Sequence, residues 1–220
     1  MGRRNLHSRE QQRDMAIAAA ELILVREGFA GLSMRKVADA IGYTVGQLYL
    51  IFQNQDDLLA IINERTTDAI YGELCDAVDT ARAPAQRLQA LALAYVGFAQ
   101  NHSHRFRMLF EHHLPIDMQP RPSADLRIKR LFELVETDLA PLLPGTGGER
   151  LRQLAATLWS GVHGIAALAV SGKLKWAGET PQGRYCEQLV GTYLAGLASQ
   201  RECPAQTAGA KRPVPRKRKV

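Results

Sequence analysis

Apolar residues recur with the period of an α-helix along almost the whole chain. Within residues 9–27 the predicted apolar stripe comprises Met15, Ala18, Ala19, Leu22, Ile23 and Val25. Gly28 follows directly, where a glycine terminates a helix. The pattern predicts a first helix from Arg9 to Glu27.

Capping signals divide the rest of the chain into further helices. Ser33 is a good N-cap, Gly42 suits a left-handed turn, and Pro84 fits a first helical position. The predicted helices are 33–41, from 44 through Phe52, from after Asn54 to near Tyr71, 84–101, 104–112, 123–142, 149–171 and 181–201. No segment reads as a strand, so the expected fold class is all-α.

The positive charge of the chain is concentrated at its C-terminal end. The 220 residues contain 28 Lys and Arg against 22 Asp and Glu, a net charge of +6. The basic residues near the end are Lys211, Arg212, Arg216, Lys217, Arg218 and Lys219. Because residues 203–220 hold too little apolar area to form a core, we predict a disordered basic tail that is either simply solvated or touches DNA.

Composition disfavours several classes of protein. No apolar run is long enough for a membrane span, and Met1–Arg13 lacks the apolar segment of a secretory signal, so a cytoplasmic protein is expected. Cys75, Cys186 and Cys203 form neither a zinc nor a disulfide pattern. Histidines cluster at His102, His104, His112 and His113, but no carboxylate or thiol stands at a ligand spacing from them. No catalytic signature accompanies Ser160 or Cys186, and we expect neither an enzyme, a metal site nor a cofactor.

The segment 33–52 has the requirements of a helix-turn-helix. Two short helices that cross at a steep angle need a small residue, a glycine turn and a miniature apolar core. Residues that meet these needs are Val37, Ala38, Ile41, Gly42, Leu48 and Ile51. Such a unit presents the start of its second helix to the DNA major groove, whereas the alternative is two ordinary helices joined by a turn.

The same residues resemble the DNA-binding domain of TetR-type transcriptional regulators. The matching motifs are Glu27-Gly28-Phe29, LSMRKVA at 32–38, GYTVGQLY at 42–49, Phe52 and Asp57-Leu58-Leu59. Residues 159–165 (WSGVHGI) resemble the Trp-His-Gly segment of one C-terminal subfamily. The resemblance implies an N-terminal three-helix helix-turn-helix domain followed by a larger helical domain for ligand binding and dimerisation.

On this basis we divide the chain into four parts: a basic arm (1–13), a DNA-binding domain (14–54), a ligand-binding and dimerisation domain (55–202) and the tail (203–220). A palindromic operator is expected, because two recognition helices related by a dyad meet successive major grooves. The function implied is a repressor released by a small molecule.

Candidate DNA contacts lie in and before the predicted third helix. Arg35 and Lys36 are cations in the first turn of a helix, where a phosphate would stabilise them. Thr44 and Gln47 form a capping box or contact bases, and Tyr49 resembles the family's phosphate-binding tyrosine unless it is a core aromatic. Val45 and Gly46 allow close approach to DNA. The complete predicted set is Arg35, Lys36, Tyr43, Thr44, Val45, Gly46, Gln47 and Tyr49.

Two residues depart from the family pattern. The family commonly has His where Ile51 stands and Lys where Gln55 stands, and that lysine usually touches the DNA backbone. Arg3, Arg4, Arg9 and Arg13 could replace the missing contact. The departures support a rival hypothesis: a helical ligand-binding or metal-binding protein, or an enzyme, that no longer binds DNA specifically.

The predicted effector site belongs to the C-terminal helices. Its candidate residues are Phe98, Met108, Phe110, Phe132, Trp159 and His163, to which Leu109, Val135 and Ala167 are added. They either line a cavity for a small apolar or aromatic effector or fill a core.

The last two predicted helices carry more apolar residues than one bundle needs to cover. These residues are Leu151, Leu154, Leu158 and Val162 on one helix, and Tyr185, Leu189, Tyr193, Leu194 and Leu197 on the other. The resemblance implies that these two helices form the homodimer interface.

Overall fold

The protein is described by a computed structural model that covers residues 7–79, 83–115, 119, 121–178 and 180–202. These residues form nine α-helices and no strand, which confirms the predicted all-α class. The helices are α1 Arg9–Glu27, α2 Met34–Ile41, α3 Val45–Tyr49, α4 Gln55–Asp79, α5 Pro84–Asn101, α6 Ser103–Glu111, α7 Pro122–Leu139, α8 Gly148–Val170 and α9 Gln182–Glu202.

Most helix bounds follow the caps seen in the sequence. Ser8 caps α1 with Gln11 in a capping box, and the hydroxyl of Ser33 accepts from the backbone of Lys36 at the start of α2. Three helices end elsewhere than predicted. α3 stops at Tyr49 instead of running through Phe52. α4 continues past Tyr71 to Asp79, and α7 stops at Leu139, where a 3-10 turn containing Pro141 follows. The predicted basic tail and Arg3 and Arg4 lie outside the described residues.

The first three helices form a small apolar core together with Leu58, Leu59 and Ile62 of α4 and Met108 of α6. The fully buried apolar residues of α1 are Ala16, Ile17, Ala20 and Leu24. Of the predicted stripe, Ala19 and Ile23 pack partly buried against this core, whereas the prediction is wrong for Ala18, Leu22 and Val25, which are exposed. α1 is apolar on both sides, and the side with small alanines is buried because α2 packs closely against it. Val37, Ala38 and Leu48 close this core from α2 and α3.

A second, larger core lies among α4 to α9. α5 is the central helix, packed against α4, α7, α8 and α9, and its inner stripe includes Leu88, Leu91, Tyr95 and Phe98. Leu154, Leu158 and Val162 of α8 belong to this core. These three residues, predicted for a dimer interface, are buried within the chain instead. Gly161 lets Leu189 of α9 sit against α8, because a Cβ there would come within 2.8 Å of a Leu189 methyl carbon.

One helix in the described part of the chain has the length and apolarity that a membrane span requires. This helix is α8, whose most apolar window is 28% buried within the protomer. α8 is a bundle helix that packs on α5, α7 and α9 along one side. Packing among the described residues therefore accounts for one apolar side of α8 and leaves the apolar residues of its other side uncovered.

Candidate functional site

The turn between α2 and α3 is built around one glycine. Gly42 has φ 72° and ψ 27°, the left-handed conformation that side chains with a Cβ disfavour. Its N–H and that of Tyr43 donate to carbonyls at the end of α2, the first to Asp39 and the second to Ala38. This closure sets α3 across α2, with Leu48 buried between them and α1.

Thr44 and Gln47 form the capping box predicted for α3. The backbone N–H of Gln47 donates to Thr44 Oγ1 at 3.3 Å, and Gln47 Oε1 accepts from the Thr44 N–H at 2.9 Å. Because Oε1 is engaged in the cap, the side-chain amide nitrogen of Gln47 is the group left to meet a base. A donor of this kind matches the acceptors N7 and O6 of the major groove.

The outer face of α2 and α3 is exposed and carries most of the predicted DNA contacts. Arg35, Thr44, Gly46 and Tyr49 are exposed. Tyr49 is 51% exposed, which excludes the core-aromatic alternative. At Gly46 a Cβ would approach nothing closer than 4.0 Å, so the packing of the chain does not require glycine there. The missing side chain instead leaves the backbone open to a partner.

The remaining predicted contacts are partly engaged within the protein. Lys36 forms an exposed ion pair with Glu27, and Tyr43 shares a 2.8 Å hydrogen bond with His7. Val45 is half-buried against the N-terminal core. The predicted phosphate contact would require Lys36 to leave Glu27, which would cost little because exposed ion pairs are weak.

The positions that depart from the family pattern have structural roles. Gln55 begins α4 and its amide donates to the Leu32 carbonyl at 3.4 Å, while Ile51 packs against the N-terminal core. The guanidinium of Arg9 donates to the Leu50 carbonyl at the end of α3. Arg9 and Arg13 both lie within α1 rather than in a separate arm. Arg9 thus brings a cation to the edge of the exposed face.

A cavity of about 430 Å³ lies inside the C-terminal bundle. Its volume falls within the range of about 300–1,000 Å³ found for small-molecule sites. α4, α5, α7 and α8 form its walls, and Leu109 and Phe110 of α6 close one side. The lining is mostly apolar and includes Tyr95, Phe110, Phe132 and Trp159, of which Trp159 contacts both Phe110 and Phe132.

The six predicted effector residues separate into two groups. Phe110, Phe132 and Trp159 line the cavity, as do Leu109 and Val135. His163 stands behind Trp159, stacked on it with ring centroids 5.0 Å apart. Phe98 and Met108 do not line the cavity. Both are fully buried elsewhere: Phe98 lies in the filled part of the bundle core, against the ring of His102, and Met108 lies in the N-terminal core.

The buried Tyr95 and the partly buried His163 form a polar pair beside the aromatic rings. Tyr95 Oη lies 3.0 Å from His163 Nδ1, with Phe106 and Phe110 packed around them. Burial lowers the pKa of His163 and raises the pKa of Tyr95, so a neutral imidazole accepts the hydrogen bond of a protonated phenol.

Several cavity residues were missed by the sequence reasoning. α4 contributes Asn63 and Thr67, α5 contributes Leu91 and Tyr95, and His112 follows α6. The stripe Leu88-Leu91-Tyr95 was visible as helical periodicity, but periodicity does not distinguish a cavity wall from a filled core. Asn63 and Thr67 had a weaker signal: they are polar residues beside the apolar positions Ile62 and Ile70.

α6 connects the cavity to the N-terminal unit. Met108 is buried among N-terminal core residues, while its neighbours Leu109 and Phe110 line the cavity. His104 packs against Gly28, whose Cβ, if present, would lie 2.9 Å from the imidazole Nδ1. Arg105 of α6 and Arg65 of α4 both approach Glu21 of α1, at 3.5 and 3.2 Å.

Comparison with known families assigns both halves of the chain. Residues 16–62 match the family described as bacterial regulatory proteins, tetR family, and residues 88–193 match the tetracyclin repressor-like C-terminal domain. The chain belongs to the TetR family of transcriptional regulators. The finer resemblance of residues 159–165 to the Trp-His-Gly subfamily stays a prediction.

Individual relatives of this TetR-family regulator are distant in sequence. It is 24% identical over 180 residues to the HTH-type transcriptional activator FasR of Mycolicibacterium smegmatis, covering 79% of this chain and 76% of that protein. A structure of a protein of unknown function from Rhodococcus sp. RHA1 superimposes with TM-score 0.71 at 24% identity, covering 89% and 98% of the two chains. A TetR-like transcriptional regulator from the same organism gives TM-score 0.60 at 22% identity over 86% and 96%. These structures share the fold.

Proposed function

We propose that this TetR-family regulator is a cytoplasmic homodimer that binds a palindromic operator through α3 and is released when a small apolar or aromatic molecule occupies the cavity. One observation carries the proposal. Successive residues of α6 serve the two sites, since Met108 is buried in the core of the DNA-binding unit and Leu109 and Phe110 line the cavity.

The DNA-binding half of the proposal rests on the exposed face of α2 and α3. Gln47 has a free amide donor beside the open backbone at Gly46, and Arg35 and Tyr49 flank them on the surface. Donors read base edges, while arginine and tyrosine side chains bind phosphates and fix the register on the duplex.

The coupling half rests on close packing between α6 and the DNA-binding unit. A ligand that displaces Phe110 or Leu109 shifts α6, and Met108 and His104 then move against α1 and Gly28. Packed cores change between discrete arrangements rather than deforming continuously. A small displacement at the cavity therefore changes the position of α3 in both subunits.

Homodimerisation is supported by the unburied sides of α8 and α9. Ala167 and Leu168 of α8 are exposed, and α9 exposes the small residues Gly191, Ala195 and Ala198 at helical spacing. Small residues allow two helices to approach closely, and a second copy related by a dyad would cover this face. The predicted interface leucines Leu154 and Leu158 are instead core residues of the protomer.

We propose that the protein acts as a repressor. Binding of the effector then releases it from DNA, and transcription can proceed. An activator is the second candidate, favoured by the name of the M. smegmatis relative. Transcription in vitro from the chain's own upstream promoter separates them: added protein lowers transcript yield if it represses and raises it if it activates.

Binding to DNA is tested with a labelled duplex from the region upstream of the chain's own gene, by fluorescence anisotropy over a series of salt concentrations. We expect tight binding to that duplex, weaker binding to a scrambled one, and affinity that falls linearly with the logarithm of salt concentration. Equal affinity for both duplexes would favour the rival hypothesis of a helical ligand-binding protein without specific DNA binding.

A further inference from the structure

A chain of hydrogen bonds runs from the cavity to the first turn of α4. Asn63 and His112 both line the cavity, and Asn63 Nδ2 lies 3.4 Å from His112 Nδ1. His112 Nε2 lies 2.9 Å from Oδ1 of Asp56. The imidazole is buried and its edge packs on Phe29, next to the DNA-binding unit.

The donor and acceptor groups of Asp56, His112 and Asn63 fix the direction of each hydrogen bond in this series. An ionised carboxylate only accepts, so His112 Nε2 carries a proton and donates to Asp56. The amide nitrogen of Asn63 faces Nδ1 of His112, and because an amide nitrogen only donates, Nδ1 is the acceptor of this contact. The amide oxygen of Asn63 is consequently turned away from His112.

That oxygen is left without a donor. Asn63 Oδ1 is buried and makes no hydrogen bond within the described part of the chain, and of the buried side-chain atoms in this condition it alone belongs to a cavity-lining residue. An unsatisfied buried acceptor is costly, and a molecule in the cavity can supply the missing donor.

Other polar groups at the cavity already have partners. The Tyr95 hydroxyl bonds to His163, and Thr67 Oγ1 donates to the Asn63 carbonyl at 2.9 Å. The two arginines that line the cavity are neutralised by α4: Arg121 pairs with Asp57, and Arg127 lies 2.9 Å from Asp68 and 3.5 Å from Glu64. Because both arginines already have carboxylate partners, neither is left to pair with an anionic headgroup.

We propose that the cavity selects a neutral apolar molecule that carries a hydroxyl group, and that this hydroxyl donates to Asn63 Oδ1. The inference rests on the proposed function and specifies the chemistry of its effector. A site with a buried polar group discriminates strongly against an analogue that lacks the matching partner. A hydroxyl is therefore selected over an ether, and an alcohol over a carboxylate.

Two isomers of equal composition test this selection. n-Decanol and nonyl methyl ether have the same atoms, but only the alcohol donates a hydrogen bond. Titration calorimetry of each into the full-length protein should show the alcohol binding at least about fivefold more tightly, the lower end of the effect of leaving a buried acceptor unpaired. Decanoate should bind more weakly than n-decanol.

Variants assign the selection to one atom. Asn63→Leu removes the acceptor at similar size, so the two isomers should then bind within about twofold of each other. Gln89→Leu is the matched control, because it replaces another amide that has a buried unpaired atom within the described part of the chain but does not line the cavity, and it should retain the preference. Circular dichroism melting checks that each variant folds, and Asn63→Ala replaces Asn63→Leu if the latter does not.

Each contrary result has its own meaning. Equal binding of the isomers to the unmodified protein, or a preference that persists without Asn63, overturns the inference and leaves the cavity as an unselective effector site. Absence of binding by either isomer overturns the inference together with the proposed effector site, while DNA binding is measured independently.

Discussion

Individual residues of the α2–α3 unit divide into those that build the turn and those that remain available to a partner. Gly42 is needed for its left-handed backbone, and Thr44 for the first turn of α3. Among the described residues Gly46 and Arg35 have no such internal role, and Gln47 serves both purposes: its oxygen is in the cap and its nitrogen has no partner there. This division identifies which substitutions should affect the fold and which should affect DNA.

Gln47→Ala should relax sequence preference at one position of each half-site by about 1–3 kcal/mol, because a base-directed donor is lost. Lys36→Ala should weaken all sequences alike and reduce the salt slope, because it removes a phosphate contact. Anisotropy with a set of single-base operator variants measures both. If both substitutions weaken every duplex equally, the assignment of Gln47 to a base is wrong.

Protonation of His163 should destabilise the protein at low pH. Burial lowers the pKa of His163 in the folded state, so between that value and the unfolded pKa of about 6.5 the unfolded chain binds more protons. The stability is complete above about pH 6.5 and decreases as the pH falls through the folded pKa. Urea unfolding of the protein and of His163→Phe across about pH 8 to 5 measures this, and the variant should show the shallower dependence. An unchanged pH dependence would contradict the neutral imidazole.

At the scale of elements, α4 and α6 both enter the core of the DNA-binding unit, and α6 does so through Met108. Met108→Ala should lower the free energy of unfolding by about 2–5 kcal/mol, as expected for a fully buried methionine. Leu109→Ala, one residue further on, should cost clearly less, because the side chain borders a cavity rather than a filled core. Urea denaturation followed by circular dichroism compares the two. Equal losses would show that α6 is not anchored through Met108.

The sequence was sufficient to predict the helices but not which face of each would be buried. Ser33, Gly42, Thr44 and Pro84 fix helix ends by local hydrogen bonding and backbone conformation, which need no tertiary information. The inner face of α1 depends on how closely α2 approaches, and so Ala16 and Ala20 are buried instead of Leu22. The same limit applies to the predicted cavity residue Met108, which lies in the N-terminal core. Apolar periodicity does not indicate which of two cores a residue enters.

At the scale of the whole molecule, the exposed sides of α8 and α9 should form the dimer. Leu168→Arg places a charge on that face and should give monomers in sedimentation experiments at micromolar concentration. Leu126→Arg is the matched control, an exposed leucine on α7, and should leave the dimer intact. Leu189 is a poor choice for this test, because it packs against Gly161 within the protomer. A Leu168→Arg protein that remains dimeric would place the interface elsewhere.

Selection of binding sites from a library of random duplexes tests the central claim, sequence-specific DNA binding by a symmetric dimer, most directly. We expect the purified protein to enrich one palindromic sequence. Its half-sites should be spaced so that two α3 helices meet major grooves about 34–36 Å apart, or at a multiple of that distance. The enrichment should be lost at one symmetric pair of positions in Gln47→Ala. Enrichment of no sequence, or of a sequence without dyad symmetry, would contradict the account.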